Sequence, residues 1–413
     1  MSRLDIGRLA RRTGARLGPM ALGLALVAGA PALSAGEPIT IGETVKIQSK
    51  IMGEERTLLI STPANYARST ERYPVLYMTD GDAHIVHTRG TVDFLARNGL
   101  MPDCIIVGVT NTDRTRDLSP THWNPVLEDG TREELPGSGG ADRFLDFFEK
   151  ELFPYVESNY RTAPYRIFAG HSLGGLLALH IFAARNGMFN AYIAASPSLR
   201  WDDDYPLRAV SAFLKDRKEC DRTLFVTMAN EEQGDSKPTR FDRLYGILGA
   251  SGAKGFVWGC KLMADEDHGS VVLRSHYWGL RLIFDGWRLP PSPGSRQFAG
   301  TLEQMKAHYA SLGKRLGFAV QPPEQTVNLL GYQLLGQKKN DEAIAVFKVN
   351  IELYPDAANV YDSLGEAQEK SGLLKEALAS YAKAVENAAR LKDDRLEIFT
   401  KNRDRAAAAL KGK

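Results

Sequence analysis

The chain has 413 residues, of which 43% are hydrophobic and 25% charged, and it carries a formal net charge of +2. These ordinary fractions exclude a disordered or fibrous chain and leave room for one large α/β domain plus something smaller. Near-neutrality without a basic stripe argues against nucleic acid or an anionic membrane as partner, and Cys104, Cys220 and Cys260 are too few and wrongly spaced for a zinc site or a disulfide scaffold.

In chain order, Arg3, Arg8, Arg11, Arg12 and Arg16 form a basic n-region, and residues 20–30 are a short apolar run followed by small residues. This is the pattern of a secretory signal spanning residues 1–35 and cleaved near Ser34; the run is too short for a stable transmembrane helix. Thr13-Gly14 after Arg11-Arg12 lacks the apolar residue expected of twin-arginine export, so the general secretory route is expected. The mature chain is then periplasmic or secreted, without a membrane span, and losing five Arg and one Asp turns its charge from +2 to −2.

Residues 36–289 alternate strands with helices, which implies a mainly parallel sheet covered on both faces. Residues 44–50 and 56–61 read as a strand pair. Residues 73–78 are a strand ending in Thr79-Asp80-Gly81-Asp82, residues 92–98 a helix, and residues 104–109 a buried strand. Residues 114–141 lack periodicity and read as a functional loop, and 142–155 as an amphipathic helix. Strands are expected at 191–195, 223–228 and 256–263, with helices at 206–216, 241–250 and 270–284; a loop at 196–205 precedes the first of these helices. Cys220 precedes one apolar strand and Cys260 lies in the next, so a Cys220–Cys260 bridge is the alternative to free thiols.

Tyr165–Arg185 carries Gly170-His171-Ser172-Leu173-Gly174 between a strand and a helix. That is the G-x-S-x-G pattern in which a serine on a sharp turn projects Oγ out of the sheet, and bulky side chains two residues away would collide there. The Leu173 N–H, unpaired at a helix start, points where an oxyanion would form, and a second donor is expected from the backbone near Asp82. A serine nucleophile needs a base, and in this fold class the order is Ser, acid, His. His268, in a polar loop after an apolar strand, is the candidate base. His180 and His276 fall inside helices, and His308 lies past the domain boundary. The acid is sought after the preceding strand, where Glu232 is preferred, with Glu231 and Asp235 as alternatives; its role is to hold the imidazole tautomer.

Pro290-Pro291-Ser292-Pro293 opens a linker at 290–300, and residues 301–413 are helical throughout. Leu330/Leu364, Gly331/Gly365, Ala343/Ala377 and Phe347/Tyr381 repeat at an offset of 34, the tetratricopeptide period. Phe347 and Tyr381 are expected to fill the gap left by the glycines. The helices at 301–316 and 394–411 are expected to cover the exposed faces of the two units. The module suits a protein partner or self-association, and residues 295–413 are expected to be separable from the chemistry.

Residues 73–81, Gly170–Gly175, Ser196-Pro197-Ser198 with Trp201, and Asp267-His268-Gly269-Ser270-Val271 together resemble the putative-esterase family of α/β-hydrolases, which includes esterase D and periplasmic siderophore trilactone esterases. The resemblance covers about residues 40–288. It implies Ser172 as nucleophile, His268 as base and an acid at Glu232, with a small-molecule ester as substrate and no cofactor or metal. Many relatives have glycine where Ala229 stands. Asn111, Arg114 and Arg116 match a stretch that faces the pocket in the siderophore branch, where arginines would grip an anionic substrate, and Trp123 and Trp201 would wall it. An acyltransferase on the same triad, or a repeat-based scaffold with a vestigial hydrolase domain, are the alternative readings.

Overall fold

In the computed structural model, residues 38–125, 129–132, 135–231, 238–293, 295 and 297–412 are described. The signal segment therefore lies outside the described residues, and so do Glu232 and Asp235. Among the described residues eight strands form one sheet: β1 (Glu43–Ser49), β2 (Glu54–Ser61), β3 (Tyr73–Met78), β4 (Ile105–Val109), β5 (Thr162–His171), β6 (Ala191–Ala195), β7 (Thr223–Ala229) and β8 (Val257–Met263), in the order β1-β2-β4-β3-β5-β6-β7-β8. β1 and β2 pair antiparallel, β2 runs antiparallel to β4, and every pairing from β4 to β8 is parallel. The parallel strands require crossover helices. These are α1 (Gly81–Arg97), α2 (Arg114–Leu118), α3 (Ala141–Phe147), α4 (Phe153–Asn159), α5 (Leu173–Ala184), α6 (Trp201–Leu214), α7 (Arg240–Gly249) and α8 (Val271–Ile283). The expected α/β-hydrolase architecture is the one observed.

Alternation along each strand sorts the core into two layers. Val75, Tyr77, Ile105, Val107 and Phe168 face Phe144, Phe147 and Phe148 of the α3 segment and Leu177 and Ile181 of α5. Leu76, Met78, Ile106, Ile167 and Ala169 face the other way, onto Val92 and Leu95 of α1 and Leu280 and Ile283 of α8. Several local expectations shift. The helix expected at 92–98 begins eleven residues earlier, at Gly81, directly after the β3 turn. The loop 114–141 starts with α2, capped by the Asp113 side chain. The 196–205 loop is a left-handed turn, because Asp202, Asp203 and Asp204 have φ of 45°, 51° and 58°, and regular helix follows it. All three cysteines are free, so Cys220 and Cys260 are not bridged.

Among the described residues six further helices follow the proline-rich stretch: α9 (Leu302–Leu316), α10 (Glu324–Gly336), α11 (Asn340–Leu353), α12 (Ala358–Lys370), α13 (Leu374–Leu391) and α14 (Leu396–Lys411). The repeated glycines work as close-approach sites. A Cβ on Gly331 would lie 2.4 Å from the Phe347 ring, and one on Gly365 would lie 2.8 Å from the Tyr381 ring. Met305, Tyr309, Leu312 and Leu316 of α9, Val327 and Leu330 of α10 and Val346 of α11 belong to the same buried cluster as Leu76 and Ile167 of the sheet. Tyr165 meets Phe318 at 5.4 Å and Trp287 meets Tyr309 at 5.9 Å between ring centroids. Packing thus crosses the linker, and residues Ile41–Lys413 form one compact unit. Among the described residues no helix is long and apolar enough to cross a membrane.

Met305 is completely buried in that shared cluster. Met305→Ala should therefore lower the stability of the whole unit by about 2–5 kcal/mol, read by urea unfolding of tryptophan fluorescence. A chain ending at residue 294 should show a larger loss, because it removes the whole cover from this part of the sheet face.

Candidate active site

β5 ends at His171, and Ser172 has φ 59° and ψ −113°, a conformation that side chains rarely adopt. The turn is pinned on both sides. Ser172 N–H donates to the Ala195 carbonyl at 3.0 Å, while the Ser172 carbonyl accepts from Leu176 and Ser198 at 2.9 and 3.1 Å. The chain turns so tightly that a Cβ on Gly170 would sit 2.1 Å from the Gly174 carbonyl oxygen, and one on Gly174 would sit 2.4 Å from Thr79 Oγ1. Both glycines are required by space. Leu173 opens α5 and Asp82 lies in the first turn of α1, so two helix N-termini with unpaired N–H groups rise from the paired strands β5 and β3.

His268 lies between β8 and α8, with its ring centroid 4.6 Å from that of His171. Its Nδ1 is 2.7 Å from Glu231 Oε2, a distance at which a carboxylate fixes the tautomer with the proton on Nδ1. The sequence reading preferred Glu232, which lies outside the described residues; the carboxylate in place on His268 is the alternative, Glu231. The neighbouring acids are occupied elsewhere: Asp265 and Glu266 pair with Arg274, and Asp267 Oδ1 accepts the Gly269 and Ser270 N–H groups.

The arginines behave differently from expectation. Arg114 Nε donates to Asp80 Oδ1 at 2.6 Å, and its Nη2 donates to Asp80 Oδ2 and to the His171 carbonyl, both at 3.2 Å. Asn111 Nδ2 adds a bond to Asp80 Oδ1 at 2.6 Å. Arg114 is thus at the site but engaged with the protein, although a third of its side chain is exposed. Arg116 is not a site residue: it donates to Glu54 and Asp117, and Asp117 also takes Arg56, whose side chain is 1% exposed. This network ties α2 to the β1–β2 hairpin. Trp201 is buried and donates Nε1–H to Thr121, and its ring lies 4.8 Å from that of the half-buried Trp123, so the two tryptophans do pair.

Two residues at the site had no assigned role in the sequence. Asp80, in the left-handed region at φ 53°, caps α1 and packs against the elbow; its place in a strand-end Thr-Asp-Gly-Asp turn was the available signal. His171, the second residue of the G-x-S-x-G pattern, heads a set of rings. His84 lies 5.8 Å from His171, 5.2 Å from His87 and 6.3 Å from His276, between centroids. Burial keeps these imidazoles neutral, with His87 and His171 lowered to about 4. Among the described residues no group of three or more His, Cys, Asp or Glu side chains is arranged to hold a metal ion.

The putative-esterase family matches residues 49–239. The ferri-bacillibactin esterase of Bacillus subtilis (strain 168) is 30% identical over 207 residues, which cover 46% of this chain and 70% of the relative. The chain belongs to the putative-esterase family. It is accordingly an ester hydrolase acting on small-molecule esters. A siderophore triacetylfusarinine C esterase of Aspergillus fumigatus is 28% identical over 275 residues, covering 57% of this esterase and 90% of the relative. Among solved structures, an IroE-like serine hydrolase from Shewanella oneidensis is 30% identical, with a TM-score of 0.66 over 76% of this chain and 99% of the other.

Asp80 makes a pH-dependent contribution to this architecture. Burial alone would raise its carboxyl, but the hydrogen bond and charge of Arg114, with Asn111, outweigh it and hold the group below the ordinary carboxylate value. A depressed folded value means stability that is present above the ordinary carboxylate pKa and lost as pH falls through the folded one. Arg114→Ala should therefore move the midpoint of acid unfolding to higher pH, measured by circular dichroism between pH 2 and 6, while stability at pH 8 falls as well.

Proposed function

We propose that this esterase is an exported serine hydrolase working through an acyl-enzyme, with Ser172 as nucleophile, His268 as base and Glu231 as the acid. The observation that carries the reading is the 2.7 Å contact between Glu231 and His268 Nδ1, made by a ring that sits beside the residue preceding Ser172. With the proton held on Nδ1, the His268 Nε2 lone pair takes the Ser172 hydroxyl proton as Oγ attacks the ester carbonyl. The negative oxygen of the tetrahedral intermediate is held by the backbone N–H groups of Leu173 and Asp82. The intermediate collapses by breaking the bond to the alcohol oxygen, which leaves with the proton returned from His268. Water, deprotonated by the same imidazole, then releases the acid and restores the enzyme.

The relatives support a substrate class. Two of them are named for siderophore esters, and the half-buried Trp123, backed by the buried Trp201, offers an aromatic surface that a ring-bearing ester would meet, while Arg114 stays a third exposed beside its Asp80 partner. We assign the esterase to hydrolysis of a ferric siderophore ester in the periplasm or outside the cell, in keeping with the basic and apolar N-terminal segment. The repeat region would then recruit a protein partner or pair two copies. The mature protein should hydrolyse a ferric trilactone siderophore with a higher kcat/KM than any p-nitrophenyl ester in a panel of increasing acyl length; the reverse ranking would reject the siderophore assignment and leave a general esterase.

Ser172→Ala removes one oxygen and should lower ester turnover about 10³-fold or more with an unchanged circular dichroism spectrum. Glu231→Gln should lower kcat about 10²-fold or more, whereas Asp265→Asn should change it by less than about threefold. Equal kcat values for Glu231→Gln and wild type would mean that His268 works without an acid.

A further inference from the structure

Five of the eight histidines, His84, His87, His171, His268 and His276, form one contiguous set of rings at the active-site edge of the sheet, and the mechanism above uses only His268. We propose that His171 is a positioning residue for the base: its ring clips the loop carrying His268 to the elbow, so that the imidazole stays aimed at Ser172. The proposal rests on the assignment of His268 as base.

Three observations support it. The first is the contact itself. The two ring centroids are 4.6 Å apart with planes at 46°, so the two rings pack directly against each other. The second is that His268 is otherwise loosely held. Its loop is tied down by the Asn230 N–H on the Glu266 carbonyl and by Arg274 on Asp265 and Glu266, but the ring stands out from that loop, 46% exposed, and Glu231 holds one edge of it. The third is that His171 is rigid from the far side. It is the last residue of β5, paired with Ala195 of β6, its carbonyl accepts from Arg114, and its ring meets that of His84 at 5.8 Å and 80°. Behind His84, His276 is buried and its Nδ1 lies 2.9 Å from Thr88 Oγ1, so the row ends on fixed helices α1 and α8.

Chemistry explains why an uncharged ring suits this place. It must present a face to His268, yet carry no charge when His268 becomes an imidazolium during turnover. Burial first, and the neighbouring His268 charge second, hold His171 to about 4, so it stays neutral around neutral pH. His171 Nε2 is buried without a hydrogen-bond partner among the described residues, which fits a neutral ring. A serine one residue from the contact gains an aligned base without gaining a second one.

The test uses the full chain with p-nitrophenyl butyrate, and a fluorophosphonate label counts folded, reactive sites. His171→Phe keeps a ring at this place, and His171→Ala removes it. Per labelled site, His171→Ala should lower kcat about 10- to 100-fold, with KM within about twofold, because a small misalignment of a base costs rate rather than ground-state binding. His171→Phe should hold kcat to within about threefold of wild type. Should His171→Ala fail to fold, His171→Ser takes its place. Wild-type kcat in the ring-less variant overturns the proposal, and so does an equal loss in the Phe and ring-less variants. His268→Ala is the control for the underlying assignment: if it retains wild-type turnover, the identity of the base has failed, and this is seen independently of any change at His171.

Discussion

A non-glycine residue at φ 59° and ψ −113° costs on the order of 1–3 kcal/mol, and Ser172 persists there because its surroundings leave no alternative. Its N–H and carbonyl are both bound, to Ala195 on one side and to Leu176 and Ser198 on the other. The approach of β5 to its own helix, and of that helix to Thr79, is so close that the two flanking positions must be glycine. Every role proposed for Ser172 and Leu173 hangs on this turn. It ends β5, starts α5, and brings the β3 turn within contact of the α5 backbone. The helix start and the proposed oxyanion region are therefore products of one backbone constraint rather than of separate loops.

The second layer of the site is electrostatic. Asp80 sits in a left-handed turn between β3 and α1, and its carboxylate would be costly to bury without partners. Arg114 supplies two bonds and Asn111 a third. Because Arg114 also donates to the His171 carbonyl, one guanidinium joins the turn that carries Asp82 to the strand end that carries Ser172. Arg114 is itself delivered by α2, and that short helix is anchored by Asp117, which bonds Arg56 and Arg116 in a buried network reaching Glu54. The loop is consequently held in place by charge pairs whose loss would leave buried ions uncompensated. Arg116 looks like a substrate residue in sequence and proves to be a strut.

Legibility in the sequence follows the range of the interaction. The elbow, the strand alternation and the position of His268 after an apolar strand are written in contiguous residues, and the structure places them where the pattern puts them. The repeated Gly331/Phe347 and Gly365/Tyr381 pairs are equally local, since period and volume together predict their contact. What failed or stayed open depends on side-chain direction across the fold. Glu231 and Glu232 are adjacent in one loop, and no periodicity says which faces His268. Arg114 and Arg116 lie two residues apart on one short helix, and their partners, Asp80 and Glu54, come from distant strands. His171 was hidden inside a motif whose second position is free to vary, and only its distance from His268 reveals a function. The left-handed turn at Asp202–Asp204 breaks the ordinary preference for glycine at positive φ, and nothing in three consecutive aspartates announces it.

The proline-rich stretch reads as a boundary because it ends one periodicity and begins another, yet the hydrophobic core does not respect it. α9, α10 and α11 bury Met305, Tyr309, Val327, Leu330 and Val346 in the cluster that includes α1, α8 and one sheet face. Helical cover on that face leaves the strand ends free, and the two ends differ. The residues proposed for catalysis follow the C-terminal ends of the parallel strands, where open α/β sheets place their sites. At the opposite edge, a groove of about 1580 Å³ runs between the start of β3, with Tyr73 and Pro164, and the helical region, with Tyr354, Asp356 and Asn387. Thr70 bonds Asp356 and Arg68 pairs with Asp394 across it. Whatever the helical region engages through this groove is thus separated from Ser172 by the length of β5. Influence on the ester chemistry would have to travel along β3 and β5 themselves, whose side chains are packed from both faces and have little room to move. The helical region is therefore bound to the sheet in packing, and the residues proposed for catalysis lie at the opposite strand ends from its groove.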